Sequence, residues 1–277
     1  MKKGIRLLVA MDMIFLVLMS VSASFVGVAG DLIYFGAFVI PFTLGWFGEK
    51  RLRYEREEER GAAEEIFPRL GLDGDGLKSF LPLVFPTVGI VVAVALLTSL
   101  LLNSLGASAA ANPDGSLAEM LLLHALLPSV LEEMLFRYMP LKVLYRYSPR
   151  ATVLVSSLLF AFIHLDLYKM PYAFIAGIVL ALVDVMTGSI LPSLVIHFIN
   201  NASSVFLMKY GEIPGFADLF YAALGLVCAV SILVIIIRRK KYITALKGAF
   251  VGRLCFDSSL ALMSALAVSV ALMNLLG

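Results

Sequence analysis

Charge is what this 277-residue chain has least of. Asp, Glu, Lys and Arg together make up 15% of it, against 61% hydrophobic residues. Mean hydropathy is +0.95. A soluble surface cannot be built from so few charges, which excludes an ordinary soluble domain and leaves a polytopic helical membrane protein. The formal net charge is +2 and is spread along the loops, so no basic face for nucleic acid is implied. Cysteine is nearly absent. Cys228 lies in an apolar run and Cys255 beside a basic segment, with no CxxC spacing. A thiolate zinc site and a secreted disulfide framework are therefore excluded, and both cysteines read as packing residues. Internal repeats and low-complexity linkers are also missing.

What is there is a succession of apolar runs. A hydrocarbon core about 30 Å thick needs roughly 20 apolar residues as helix. On that basis the spans are 7–28, 32–47, 81–105, 117–141, 151–165, 171–186, 190–208, 218–237 and 258–276. The expected fold class is all-α, a transmembrane bundle of eight to nine spans forming one membrane domain. Met1-Lys2-Lys3 before the first run resembles a signal peptide. That run is long, contains Asp12 and is followed at once by another, so a retained span is expected. Residues 49–80 read as a cytosolic connector: Tyr54 to Arg60 mixes signs at i,i+4 spacing, as on a solvated helix. Leu72-Asp73-Gly74-Asp75-Gly76 reads as a turn without the downstream pattern of a calcium loop. Ser116 and Glu119 form a capping box for the fourth span. That helix continues as a basic, aromatic end to Tyr147, and Ser148-Pro149 breaks it. Thr187-Gly188-Ser189 makes the sixth and seventh spans a tight antiparallel pair. Residues 241–257 form a short amphipathic stretch. The basic loops follow the second, fourth and eighth spans and precede the first. Alternation then places the N-terminus in the cytosol and, with nine spans, the C-terminus outside.

The fourth span carries Glu132, Glu133 and Arg137 in its middle. Each ionisable group at that depth costs about 2.5 kcal/mol or more on insertion scales, so partners and a function are implied. Glu133 and Arg137 share a helical face and can pair acid-first. Glu132 is rotated by about 100° and needs a different partner. A nearby histidine would let it share a proton, as general-base catalysis requires. His164, in Phe160-Ala161-Phe162-Ile163-His164, is one candidate; alone it would read as a histidine bonded between helices. His197 and Asn201 sit one turn apart in the seventh span. Two donors so placed can point at one oxygen, the requirement for holding an oxyanion. As interhelical glue they would contribute only about 0.6 kcal/mol each. Asn200 lies off that face. By the rise per residue, Glu132 and His197 lie about 10 to 14 Å from the cytosolic ends of their spans, and His164 about 20 Å. Asp166 falls at the membrane surface and takes no role. His124 reads as packing or as lining a cavity mouth. Asp12 and Asp184 are intramembrane acids read as structural.

Glu132-Glu133-x3-Arg137, Phe160-x3-His164 and His197-x3-Asn201, in this order in apolar helices, resemble the three motifs of the CPBP (Abi) family of intramembrane endopeptidases. The type II CAAX prenyl endopeptidases are its best-known branch. The resemblance covers about residues 117–208, the expected catalytic core. It implies that Glu132 and His164 activate water, that His197 and Asn201 hold the oxyanion, and that Glu133 and Arg137 support the site. The short spacing from His164 to His197 suggests a compact bacterial or archaeal type, hence a cell-membrane protein. The partners implied are membrane lipid and peptide or protein substrates, among them CAAX-type prenylated peptides. No cofactor is expected. Three alternatives stand beside this: a zinc form using Glu132, His164 and His197, a non-enzymatic scaffold or immunity protein of the same fold, and a proton-coupled transporter using Asp12, Glu132 and Asp184.

Overall fold

Serine and proline set where several helices begin and where they lose regularity. A computed structural model of the chain describes residues 1–25, 27–60, 70–71, 74–104, 115–250, 252–254 and 257–276. Asp73 of the 72–76 turn, most of the 106–116 loop and Cys255 lie outside the described residues. Every regular element among the described residues is helical: α1 (Lys2–Ser22), α2 (Val28–Arg60), α3 (Gly74–Ser104), α4 (117–144), α5 (Pro149–Phe162), α6 (Lys169–Thr187), α7 (Leu191–Tyr210), α8 (Phe216–Ala249) and α9 (Ser258–Leu276). Among the described residues, five helices carry stretches long and apolar enough to cross a membrane, and 82–95, 149–162 and 258–274 are shorter apolar helices. The protein is an all-α, polytopic membrane protein.

Ser116 starts α4 by accepting the Glu119 amide at 3.2 Å, and Ser148 starts α5 by accepting the Ala151 amide at 3.1 Å. Pro149 at the first helical position has no amide to leave unpaired. α4 is not a regular rod. Its α-helical turns are interrupted by wider π turns at Leu121–Leu126 and Met134–Tyr138. Each π turn ends two residues before a proline, Pro128 and Pro140. Proline cannot donate to the carbonyl four residues back, so the ladder must open near it. The carbonyl of Phe136, freed by Pro140, accepts instead from Arg137 Nη1 at 3.1 Å and from Ser156 Oγ of α5 at 2.5 Å. The same substitution occurs in α3. Pro86 frees the carbonyl of Pro82, and the Tyr242 hydroxyl of α8 donates to it.

α4 is the axis of the molecule. Its first half packs on α7, and its second half packs on α1, α2 and α5. α5 and α6 pack closely, because a Cβ at Gly177 would lie 3.1 Å from the Cα of Ser157. α6 ends at Gly188, in the left-handed conformation at φ 72°, and the tight turn delivers the chain to α7. α3 and α8 cover the far side of α6. α5 is only 14 residues long, about 21 Å of helix. It stops at Phe162, short of the expected end at Leu165, and a turn at 163–168 carries the chain to α6. α8 absorbs much of the expected amphipathic stretch, remaining helical to Ala249.

Candidate active site

The site is built where the first turn of α7 meets the middle of α4. Pro192 contributes no amide there. The Leu191 amide is taken by Ser189 Oγ at 3.1 Å, and the Ser193 amide by Asp184 Oδ1 of α6 at 3.1 Å. A carboxylate thus caps α7 from across the Thr187-Gly188-Ser189 turn, where it also complements the helix dipole. α7, held in this way, presents His197 one turn further on.

His197 inserts between the two glutamates of α4. Its Nδ1 donates to Glu133 Oε1 at 2.8 Å, and its Nε2 lies 3.7 Å from Glu132 Oε2. Glu133 also faces Arg137, with Nε to Oε2 at 3.6 Å, and both side chains are fully buried. Removing one partner of such a buried pair strands the other charge, a loss of several kcal/mol. The guanidinium of Arg137 lies 4.3 Å from the centre of the Phe160 ring. That ring meets both remaining imidazoles edge-on, His164 at 5.3 Å and His197 at 5.6 Å between centroids. His164 Nδ1 donates to the Phe160 carbonyl at 3.0 Å, which leaves Nε2 as its other functional nitrogen. Asn201 donates from Nδ2 to Ser129 Oγ at 3.3 Å, while Ser129 donates to the Ala125 carbonyl at 2.7 Å. Ser129 stands one turn before Glu132 and Glu133, so Asn201 lies along the same flank of α4.

The structure therefore joins Glu132, Glu133, Arg137 and His197 in one contact chain. His164 joins it through Phe160, while Asn201 is bonded to Ser129, one turn earlier on α4. The regular wheel suggested separate partners for the two glutamates. Instead, one imidazole serves both, because its two nitrogens lie on opposite edges of the ring. His124 is exposed and takes no part. Asp12 is buried, with neither carboxylate oxygen hydrogen-bonded among the described residues. Ser129, Ser193 and the capping role of Asp184 were not anticipated. Pro140, four residues after Phe136, was the available signal for the carbonyl that Arg137 and Ser156 share. Among the described residues no three His, Cys, Asp or Glu side chains are grouped so as to hold a metal. Glu132, His164 and His197 accordingly do not form a ready ligand set.

A bundle of apolar helices enclosing carboxylates, imidazoles and an amide defines an integral membrane protein with a polar site inside the bundle. Residues 114–203 match the family model described as Type II CAAX prenyl endopeptidase Rce1-like. The matched stretch contains every residue of the cluster. No curated protein and no solved structure matches the chain.

Proposed function

We propose that the 114–203 domain is an intramembrane endopeptidase in which Glu132 and His164 prepare water. In the same reading, His197 and Asn201 hold the charge that develops on the scissile carbonyl oxygen. The observation that carries this is the difference between adjacent glutamates. Both face His197, yet the Glu132 side chain is 19% exposed while that of Glu133 is fully buried. Only Glu132 is open to water or a substrate carbonyl. Glu133, fixed by Arg137, instead orients the imidazole, as the carboxylate of a catalytic triad orients its histidine. For His197 to donate from Nε2, the ring carries both protons and keeps Nδ1–H on Glu133. The Asn201 amide has a second N–H beyond the one given to Ser129. His164 is the remaining group able to take the proton from water and return it to the leaving amine.

Substrates are peptides or proteins at the membrane, CAAX-type prenylated peptides among them, and the mechanism needs no metal. The bundle crosses the membrane eight to nine times in a bacterial or archaeal cell membrane, with its N-terminus in the cytosol. The test is cleavage of a prenylated CAAX-type peptide and of an unmodified membrane-protein peptide by purified protein, with and without chelator. Glu132→Gln is expected to lower turnover by about 10²-fold or more with an unchanged melting temperature. Undiminished turnover would remove Glu132 from the chemistry. Loss with chelator, restored by zinc alone, would replace the metal-free mechanism. Activity in the cell that survives both Glu132→Gln and His164→Ala would favour the scaffold reading.

A further inference from the structure

The turn that follows His164 carries an unusual backbone. Leu165 has φ 46°, the one positive φ at a non-glycine among the described residues. A leucine there crowds its Cβ against the following carbonyl and needs outside support to stay. Support comes from a distant helix: Asn274 Nδ2 of α9 donates to the Leu165 carbonyl at 3.0 Å. The bonds before it are the long closing bonds of α5, His164 N to the Ala161 carbonyl and Leu165 N to the Phe162 carbonyl, each 3.2 Å. After it, Asp166 Oδ1 takes the Tyr168 amide at 2.8 Å and the Lys169 amide at 3.2 Å, which fixes the start of α6. His164 thus lies between an anchored helix end and a left-handed residue whose carbonyl is held from α9. A cavity of about 310 Å³ borders the turn, lined by His164, Asp166, Tyr168, Ala271 and Asn274 among others. The Leu165 side chain packs against the main core, while on the cavity side its carbonyl is held by the Asn274 bond.

We infer that Asn274, outside the family-matched stretch, is a positioning residue for His164, acting by holding Leu165 in its left-handed conformation. The inference rests on the proposed role of His164 for its effect on turnover, but not for its effect on the imidazole. Without the Asn274 bond, Leu165 relaxes to negative φ and swings the peptide that joins it to His164. Glycine at 165 would adopt the left-handed conformation unaided.

The experiment is a double-mutant cycle on the full chain in detergent, with Leu165→Gly, Asn274→Ala and the pair. The modification rate of His164 by diethyl pyrocarbonate is read by mass spectrometry, with the exposed His124 as internal reference, alongside kcat and KM for the peptide. Asn274→Ala is expected to change His164 reactivity relative to His124, and to lower kcat, each by about tenfold with KM unchanged, because misplacement of a reacting group acts on the chemical step. In the Leu165→Gly background the same substitution is expected to change both by less than about twofold, since glycine needs no strut. An unchanged His164 rate in Asn274→Ala, or an equal effect in both backgrounds, overturns the inference. If Asn274→Ala fails to fold while the pair folds with wild-type His164 reactivity, the strut is supported; failure of both to fold overturns it. Wild-type protein that cleaves no peptide, with the His164 rate coupled as expected, would sink the protease reading and leave the strut standing.

Discussion

At the scale of single residues, two buried carboxylates near the same stretch of α4 have different duties. Glu133 holds an imidazole; Asp184 holds a backbone amide. Replacing Asp184 with alanine strands the Ser193 amide at the start of α7, and losing such a cap costs about 1 to 2 kcal/mol. Asp184→Ala is therefore expected to lower the melting temperature of the purified protein. Asp184→Asn, which keeps a side-chain oxygen acceptor, is expected to lose less. An alanine variant as stable as wild type would show that the amide finds another partner. The contrast also marks what could be read from the chain. The Glu133–Arg137 pairing was legible because four residues on a helix make slightly more than one turn and return to nearly the same face. Sharing of His197 was not legible, because spacing along α4 is silent about which side chain of α7 enters between its ridges. Asp184 was visible as a costly intramembrane acid, but its partner was an amide nine residues later, and amides carry no residue-type signal.

At the scale of elements, local chemistry gave the helices and tertiary contact gave their departures. Span limits follow from apolar runs bounded by caps and breakers; the Ser116 cap was legible because its side-chain type suits the job, whereas Ser148-Pro149 reads as a break and its cap on α5 was not legible. The π turns of α4 were hidden, because period counting assumes a uniform helix, although Pro128 and Pro140 lay in view. The early end of α5 was hidden too: the apolar run continues to Leu165, while the backbone turns after Phe162. The contact between α5 and α6 depends on having no side chain at Gly177. Leu at this position would require its Cβ to approach the Ser157 backbone and then place further carbons in the same gap. Gly177→Leu is expected to cost about 1 to 3 kcal/mol as an over-packed core does. The loss should appear as a lower melting temperature in detergent. The same displacement would carry α6, and with it the Asp184 cap, away from α7. Wild-type stability in this variant would mean that the helices separate without cost.

At the scale of the whole molecule, long-range ties sort the helix ends into two sets. Arg6 at the start of α1 meets Asp257 at the start of α9. Glu49 of α2 lies 3.9 Å from Lys142 near the end of α4, and Tyr242 towards the end of α8 reaches Pro82 early in α3. Lys209 at the end of α7 reaches the Gly115 carbonyl just before α4, and Asn274 near the end of α9 reaches Leu165 beyond α5. Each tie joins ends that alternation puts on the same side, and the first three lie among the basic residues assigned to the cytosol. The tie between α1 and α9 is one that acid should loosen. Asp257 Oδ1 accepts the Ser259 hydroxyl at 2.7 Å and the Ser259 amide at 3.0 Å, and Arg6 Nε lies 3.2 Å from Oδ2. The Ser259 bonds, followed by Arg6, hold the Asp257 carboxyl below the usual carboxylate range. Since the folded value is depressed, the stabilisation is complete above the unfolded value of about 3.9 and is lost as pH falls through the folded one. Asp257→Asn removes the charge while leaving an oxygen for Ser259. Its melting temperature is expected to lie below wild type at pH 7, with the difference shrinking once pH drops below about 4. A difference that stays constant as pH falls well below the unfolded value of about 3.9 would show that the charge of Asp257 does not bind α9 to α1.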